Sequence, residues 1–273
     1  MPLYNERKSN MSHFVPPISD TFLKKLITEI DDDTIRGIVL GGSHARGNPT
    51  PYSDIDLACF VADTFRPLRK RYLYREEHLV SIGLKTLAGV KEQIADPYQA
   101  LWIVPSFRQA KVLLDKDGSM SQLKQMVENF TWDTLREEAI GYASHILTSD
   151  VEFVHKLLGN IWRDNLSGIS YSVQRLFNGA TMIMALYYGV FITTDSVYYQ
   201  EVETAVGTES AWTQYHGLLS GVITFDEQTS SLDTRATLAL QLYRETAFLL
   251  LPTLSEQCRA VVEHVLNLIE QAL

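Results

Sequence analysis

The sequence predicts an α/β (α+β) domain with a mixed sheet, followed by an all-α helical bundle, on three observations. Short apolar runs bounded by glycine, proline and polar turns recur up to residue 115 and read as strands interleaved with helices. From Ser119 onward the apolar residues recur at helical spacing, with no strand signal between them. A length of 273 residues also favours one large or two ordinary domains over a single minimal core.

Taken in order, residues 19–30 place Phe22, Leu23, Leu26, Ile27 and Ile30 on one helical face behind Ser19 or Asp20 as the cap. Residues 36–41 form a short apolar run between glycines, which predicts a buried strand. A polar turn with Pro49 and Pro51 follows, and residues 54–61 read as the second strand. Residues 78–87 alternate and supply the third, and residues 111–115 the fourth, ended by Lys-Asp-Gly. Beyond it, helical periods cover residues 123–130, 132–147, 151–162, 171–188, 197–206, 233–250 and 254–273. The expected division is a flexible tail at 1–17, an α/β domain at 18–117 and a helical domain at 118–273.

Composition narrows the classes. The most apolar stretch, residues 176–192, is short for a membrane span and interrupted by Asn178, Gly179 and Gly189, so a buried helix is expected. The first residues are polar and broken by Pro16 and Pro17, without the apolar core of a signal peptide. Cys59 and Cys258 are therefore expected to be reduced packing residues of a cytoplasmic protein. A net charge of −9 disfavours nucleic acid as a partner unless a local basic patch overrides it. The one candidate patch, Arg66, Arg69, Lys70, Arg71 and Arg75, reads as a solvated helix face. A cationic small molecule suits the charge better.

The chemistry-bearing segment runs from Gly41 to Asp56, GGSHARGNPTPYSDID. Asp54 and Asp56 stand two apart on a predicted strand, so their carboxylates emerge on one face. Such a pair suits Mg²⁺ or Mn²⁺, hard ions that complete their shell with water and phosphate oxygens. Gly41 and Gly42 let the backbone turn closely around a ligand, Ser43 adds a hydroxyl at a helix start that favours anions, and Arg46 adds a cation. Either half alone is weak, since Asp-x-Asp ends many turns and Gly-Gly makes many. Strand, Gly-Ser turn and Ser-Asp-x-Asp in succession form a specific pattern of phosphate chemistry.

On these residues the chain resembles the DNA polymerase β type nucleotidyltransferase superfamily over its first 115 residues. Within that group it looks most like the kanamycin (aminoglycoside 4′-O) nucleotidyltransferase family, through Arg46, Pro51-Tyr-Ser-Asp-Ile-Asp56 and Ala185-Leu-Tyr-Tyr-Gly-Val-Phe-Ile-Thr-Thr194. The resemblance implies Asp54 and Asp56 as metal ligands and catalytic residues, and Gly42, Ser43 and Arg46 as nucleotide-binding. It also implies ATP or another NTP as co-substrate, a small-molecule hydroxyl acceptor, and a homodimer in which the helical domain binds substrate and dimerises. Glu152 then falls on the catalytic base and Lys156 on a phosphate-binding lysine. Read from spacing alone, Glu152 and Lys156 are an exposed pair four apart on a helix whose apolar side is Val154, Leu157, Leu158, Ile161 and Trp162.

The chain departs from the superfamily at one point. A third metal carboxylate is usual on the neighbouring strand, where this chain has Ser81, and only Glu76 or Glu77, just before that strand, could stand in. Two other readings follow, a protein adenylyltransferase of toxin-antitoxin type and a nucleotide-binding protein that has lost catalysis. The long helical half argues against the former.

Overall fold

The computed structural model describes residues 18–63, 70–223 and 231–273. The chain divides into two compact units, the first holding residues up to 95 with Trp102–Phe130, the second holding Asp96–Leu101 with Thr131–Leu273. The expected tail at 1–17 lies outside the described residues, as do Arg66 and Arg69.

In the first unit, α1 (Asp20–Ile30) begins where the Ser19 hydroxyl accepts the Phe22 amide, which decides the cap in favour of Ser19. Then come β1 (Ile35–Leu40), α2 (Gly42–Arg46), β2 (Ile55–Val61), β3 (Arg71–Arg75), β4 (His78–Thr86), α3 (Leu87–Ala95), α4 (Pro97–Gln109), β5 (Lys111–Asp115) and α5 (Ser119–Asn129). The sheet has five strands in the order β3-β4-β2-β1-β5. Only β2 and β4 pair in parallel and the other neighbours are antiparallel, so the sheet is mixed, as the sequence predicts. One face carries Ile38, Leu40, Ile55, Leu57, Cys59, Val61, Val80 and Ile82, packed in one core with Phe22 and Leu26 of α1. Alternation sends Asp56, Ala58 and Phe60 to the other face, alongside their β4 partners Ser81, Gly83 and Lys85.

The second unit is helical: a short 3₁₀ turn (Trp132–Thr134), α6 (Arg136–Trp162), α7 (Leu166–Tyr188), α8 (Tyr198–Val206), α9 (Ala211–Ser220), α10 (Leu232–Leu250) and α11 (Glu256–Ala272). Asn165, Ser210, Ser231 and Ser255 cap four of these helices with side-chain oxygens. The apolar stretch around Leu176 is the buried side of α7, and no helix among the described residues is long and apolar enough to cross a membrane. Where α6 meets α7, Gly179 lies against the Asp150 carboxylate, and any side chain there would collide with it. Cys59 is buried and Cys258 half-buried, and both are free thiols. Burial pushes the Cys59 thiol up to about 12, as befits a packing residue.

The structure differs from the sequence reading in several places. Residues 71–75, expected on a helix face, form the edge strand β3, with Leu73 packed toward the core and Tyr72 and Tyr74 exposed. Its hairpin turns on Glu76 and Glu77, both left-handed at φ 47° and 69°, which no Asn-Gly announces. The first unit extends beyond Gly118 because α5 buries Met120, Leu123 and Val127 and packs on β1 and β5. Residues 96–101 join the helical unit instead, where the Leu101 carbonyl accepts the Ile192 amide at 2.8 Å. The segments at 132–147 and 151–162 merge into α6, since Asp150 turns inward between Leu147 and Val154 without breaking the helix. The helix α9 carried no predicted counterpart; its buried side includes Trp212 and His216.

Candidate active site

The Gly41 amide donates to the Asp56 carbonyl at 2.8 Å, extending the pairing of β1 with β2 by one residue before the chain turns into α2. Gly42 takes φ 63°, and a Cβ there would run into the Asp56 carboxylate, so glycine meets a conformational and a steric need at once. The turn is anchored by buried Ala45 in the α1 core and by His44, whose ring stands 6.4 Å from that of His78. Burial, and secondarily His78, lowers the His44 pKa, which disfavours the charged imidazolium. Ser43 and Arg46 remain half-buried, and the buried Arg46 Nε has no hydrogen-bond partner among the described residues. An unsatisfied guanidinium nitrogen beside a glycine turn is suited to an anionic ligand.

The strand β2 starts at Ile55, so Asp54 is the last residue before it and Asp56 its second residue. Burial first, and the neighbouring Asp54 charge second, hold the Asp56 carboxyl above the usual carboxylate range. Lys70 opposes this, with Nζ 3.7 Å from Asp56 Oδ1. Two carboxylates that repel one another in a half-buried position gain from a divalent cation. Among the described residues no group of three His, Cys, Asp or Glu side chains could hold a metal. Two carboxylates are a hard oxygen donor set of the kind an Mg²⁺-like ion takes when phosphates and water complete its shell.

Ser81 lies opposite Asp56 in the parallel register and is 1% exposed. Its hydroxyl meets no partner at full hydrogen-bond geometry, yet it stands close enough to Asp56 to favour the charged carboxylate. The two glutamates that could have replaced the third carboxylate serve elsewhere. Glu76 pairs with Lys25 of α1 at 2.8 Å, and Glu77 is exposed in the hairpin turn.

Asp54, Asp56, Gly42, Ser43 and Arg46 thus gather in the first unit, while Glu152 and Lys156 sit on α6 of the second. There they form an ion pair of 2.6 Å with side chains 67% and 49% exposed, and Lys156 also lies over the Phe153 ring. In isolation such a pair contributes only about 0.3–0.5 kcal/mol to its helix. The perturbed acid of α6 is Asp150, 2% exposed, whose carboxyl burial pushes up to about 7 against the opposing Arg175. Its signal in the sequence was an acid in line with Leu147, Val154 and Leu157 on an apolar stripe. Lys70 was hidden in a charge run and Lys85 in a strand alternation.

With this geometry in place, comparison with known proteins gives a consistent class. Residues 23–100, well under half of the chain, match the nucleotidyltransferase domain family. A nucleotidyltransferase-like protein from Exiguobacterium sibiricum 255-15 has a similar structure, with a TM-score of 0.50 and 14% identity over 84% of this chain and 74% of that one. At that identity the likeness is one of fold. No curated protein matches in sequence. The domain match, set on this fold, supports a transferase of the nucleotidyltransferase class.

Proposed function

We propose that this chain moves an NMP, with AMP from ATP the first choice, to a hydroxyl of a cationic, aminoglycoside-like small molecule. The single observation that carries the reading is the Asp56 carboxylate lodged against Gly42 at the Gly-Ser turn, with Asp54 beside it. Asp54 and Asp56 would hold Mg²⁺ or Mn²⁺, and a bound ion of this kind offsets charge on the reacting phosphate and on the departing pyrophosphate. Gly42, Ser43 and Arg46 offer backbone, hydroxyl and guanidinium groups to the triphosphate. The acceptor oxygen forms its bond to the α-phosphorus as the bond to the bridging oxygen breaks, and pyrophosphate leaves. Glu152 takes the hydroxyl proton and Lys156 steadies phosphate, both supplied by a second copy in a symmetric dimer. The exposure of Glu152 supports its availability, and the net charge of −9 supports a cationic acceptor.

The buried Ser81 favours a second reading, a nucleotide-binding protein without turnover. Pyrophosphate release with ATP or GTP, and Mg²⁺ or Mn²⁺, against aminoglycosides, lincosamides and other polyols separates the two. The proposal expects metal-dependent release with at least one hydroxyl acceptor. Nucleotide binding without release across the panel selects the second reading, and absence of nucleotide binding rejects both.

A further inference from the structure

Along β4, Ser81, Gly83 and Lys85 share the face that carries Asp56, Ala58 and Phe60 on β2, because each pair is in register across the parallel ladder. On the outer side of β4, Tyr72 of β3 is paired with Ser81, and Lys70 precedes Tyr72 by two residues. Lys70 therefore belongs to the same face, and its Nζ at 3.7 Å from Asp56 Oδ1 agrees with that placement. Between the two lysines the strands present small groups, Ala58 and Gly83, both half-buried. A Cβ built on Gly83 would meet nothing nearer than the Leu57 carbonyl at 4.0 Å, so there is room above the sheet there.

The Lys85 side chain has no hydrogen bond, ion pair or ring contact among the described residues, although the residue is half-buried. Burial first, and the neighbouring Lys70 charge second, lower its pKa, so its surroundings penalise the ammonium, and no anion among the described residues repays the penalty. This face thus carries two carboxylates with the Lys70 ammonium against them, and a second ammonium, that of Lys85, four residues further along the ladder. A divalent cation bound to a polyphosphate has the complementary polarity.

We infer that Lys70 and Lys85 seat the polyphosphate of a nucleoside triphosphate on the Asp56 face of the sheet. The inference rests on the proposed function and adds to Gly42, Ser43 and Arg46 a pair of lysines from the opposite flank of Asp56. Lys70 exchanges its pairing with Asp56 for phosphate when the cation enters, and Lys85 gains an anionic partner.

Calorimetric titration with ATP, inorganic tripolyphosphate and AMP tests this on the full chain. Lys85→Met and Lys70→Met should each weaken ATP and tripolyphosphate about tenfold, the loss expected for one charge-assisted contact. AMP should bind as before, and Lys85→Arg should keep most of the affinity. Without ligand, Lys85→Met should melt above the unsubstituted protein, because a penalised charge is gone, and should gain less from ATP. Equal ATP and tripolyphosphate affinity in Lys85→Met overturns the inference alone, and so does an equal loss for AMP. If Lys85→Met does not fold, the same readings on Lys70→Met and Lys85→Gln decide. A native chain that binds no ATP at all overturns the proposed function with it.

Discussion

The Asp56 carboxylate shows how one residue ties turn, sheet and charge together. It requires glycine at position 42, it is crowded by Asp54, and it faces a serine across the ladder. The first two relations were legible in the sequence because they are local: a spacing of two on a strand and a glycine pair before a helix. Ser81 was legible as a missing carboxylate, but the nearness of Lys70 to Asp56 and the place of Lys85 on the same face were not, since both exist only through strand register. Register also decides what Ser81→Asp would do. A third carboxylate there should raise Mn²⁺ affinity about tenfold or more, ligand charge being a main determinant of affinity, and should lower the melting temperature of the metal-free protein. Calorimetry with Mn²⁺ checks this; unchanged affinity would mean that the position does not face the ion.

At the scale of elements, strong periodicity was the reliable guide. The helix α1 and the strands β1, β2, β4 and β5 lie within a few residues of their expected places, and α6, α7, α10 and α11 follow from their apolar stripes. The strand β3 was missed because an edge strand with alternating Arg and Tyr has little apolar content, and α9 because its buried side is built from Trp212, Thr213, His216 and Gly217. Within α6 the exposed Glu152 stands out by its spacing from Lys156, whereas Asp150, which packs against Gly179 and Arg175, does not. Asp150 has a measurable consequence. Its folded pKa of about 7 is above the unfolded carboxyl value of about 3.9. Stability from the protonated form is thus complete below pH ~4 and is lost as pH rises through about 7. Asp150→Asn should accordingly melt near the unsubstituted protein at pH 4 and above it at pH 8, by a few kcal/mol at most, as about three pKa units allow. Denaturation at both pH values checks the sign; a difference that does not change with pH would contradict it.

At the scale of the whole molecule, the fold class was legible because α/β and helical patterning follow one another along the chain. The edge of the first unit was not, since α5 joins the sheet by packing rather than by any break in composition. The carboxylate pair and the α6 pair belong to different units, which is where the proposed dimer makes its claim. Mixing Asp54→Asn protomers with Glu152→Gln protomers, each expected to be inactive alone, should restore about half of native turnover per verified mixed dimer, since one composite site of the two is intact. No recovery in that mixture would place the base elsewhere. The most direct measurement is pyrophosphate release by Asp56→Asn, with circular dichroism and melting to establish that the variant is folded. An amide keeps the shape at Gly42 but removes the charge that holds the cation, so release should fall by at least about 10²–10³-fold, the scale at which lost electrostatic stabilisation is felt. A folded Asp56→Asn protein that releases pyrophosphate at the native rate would contradict the carboxylate pair as the catalytic centre.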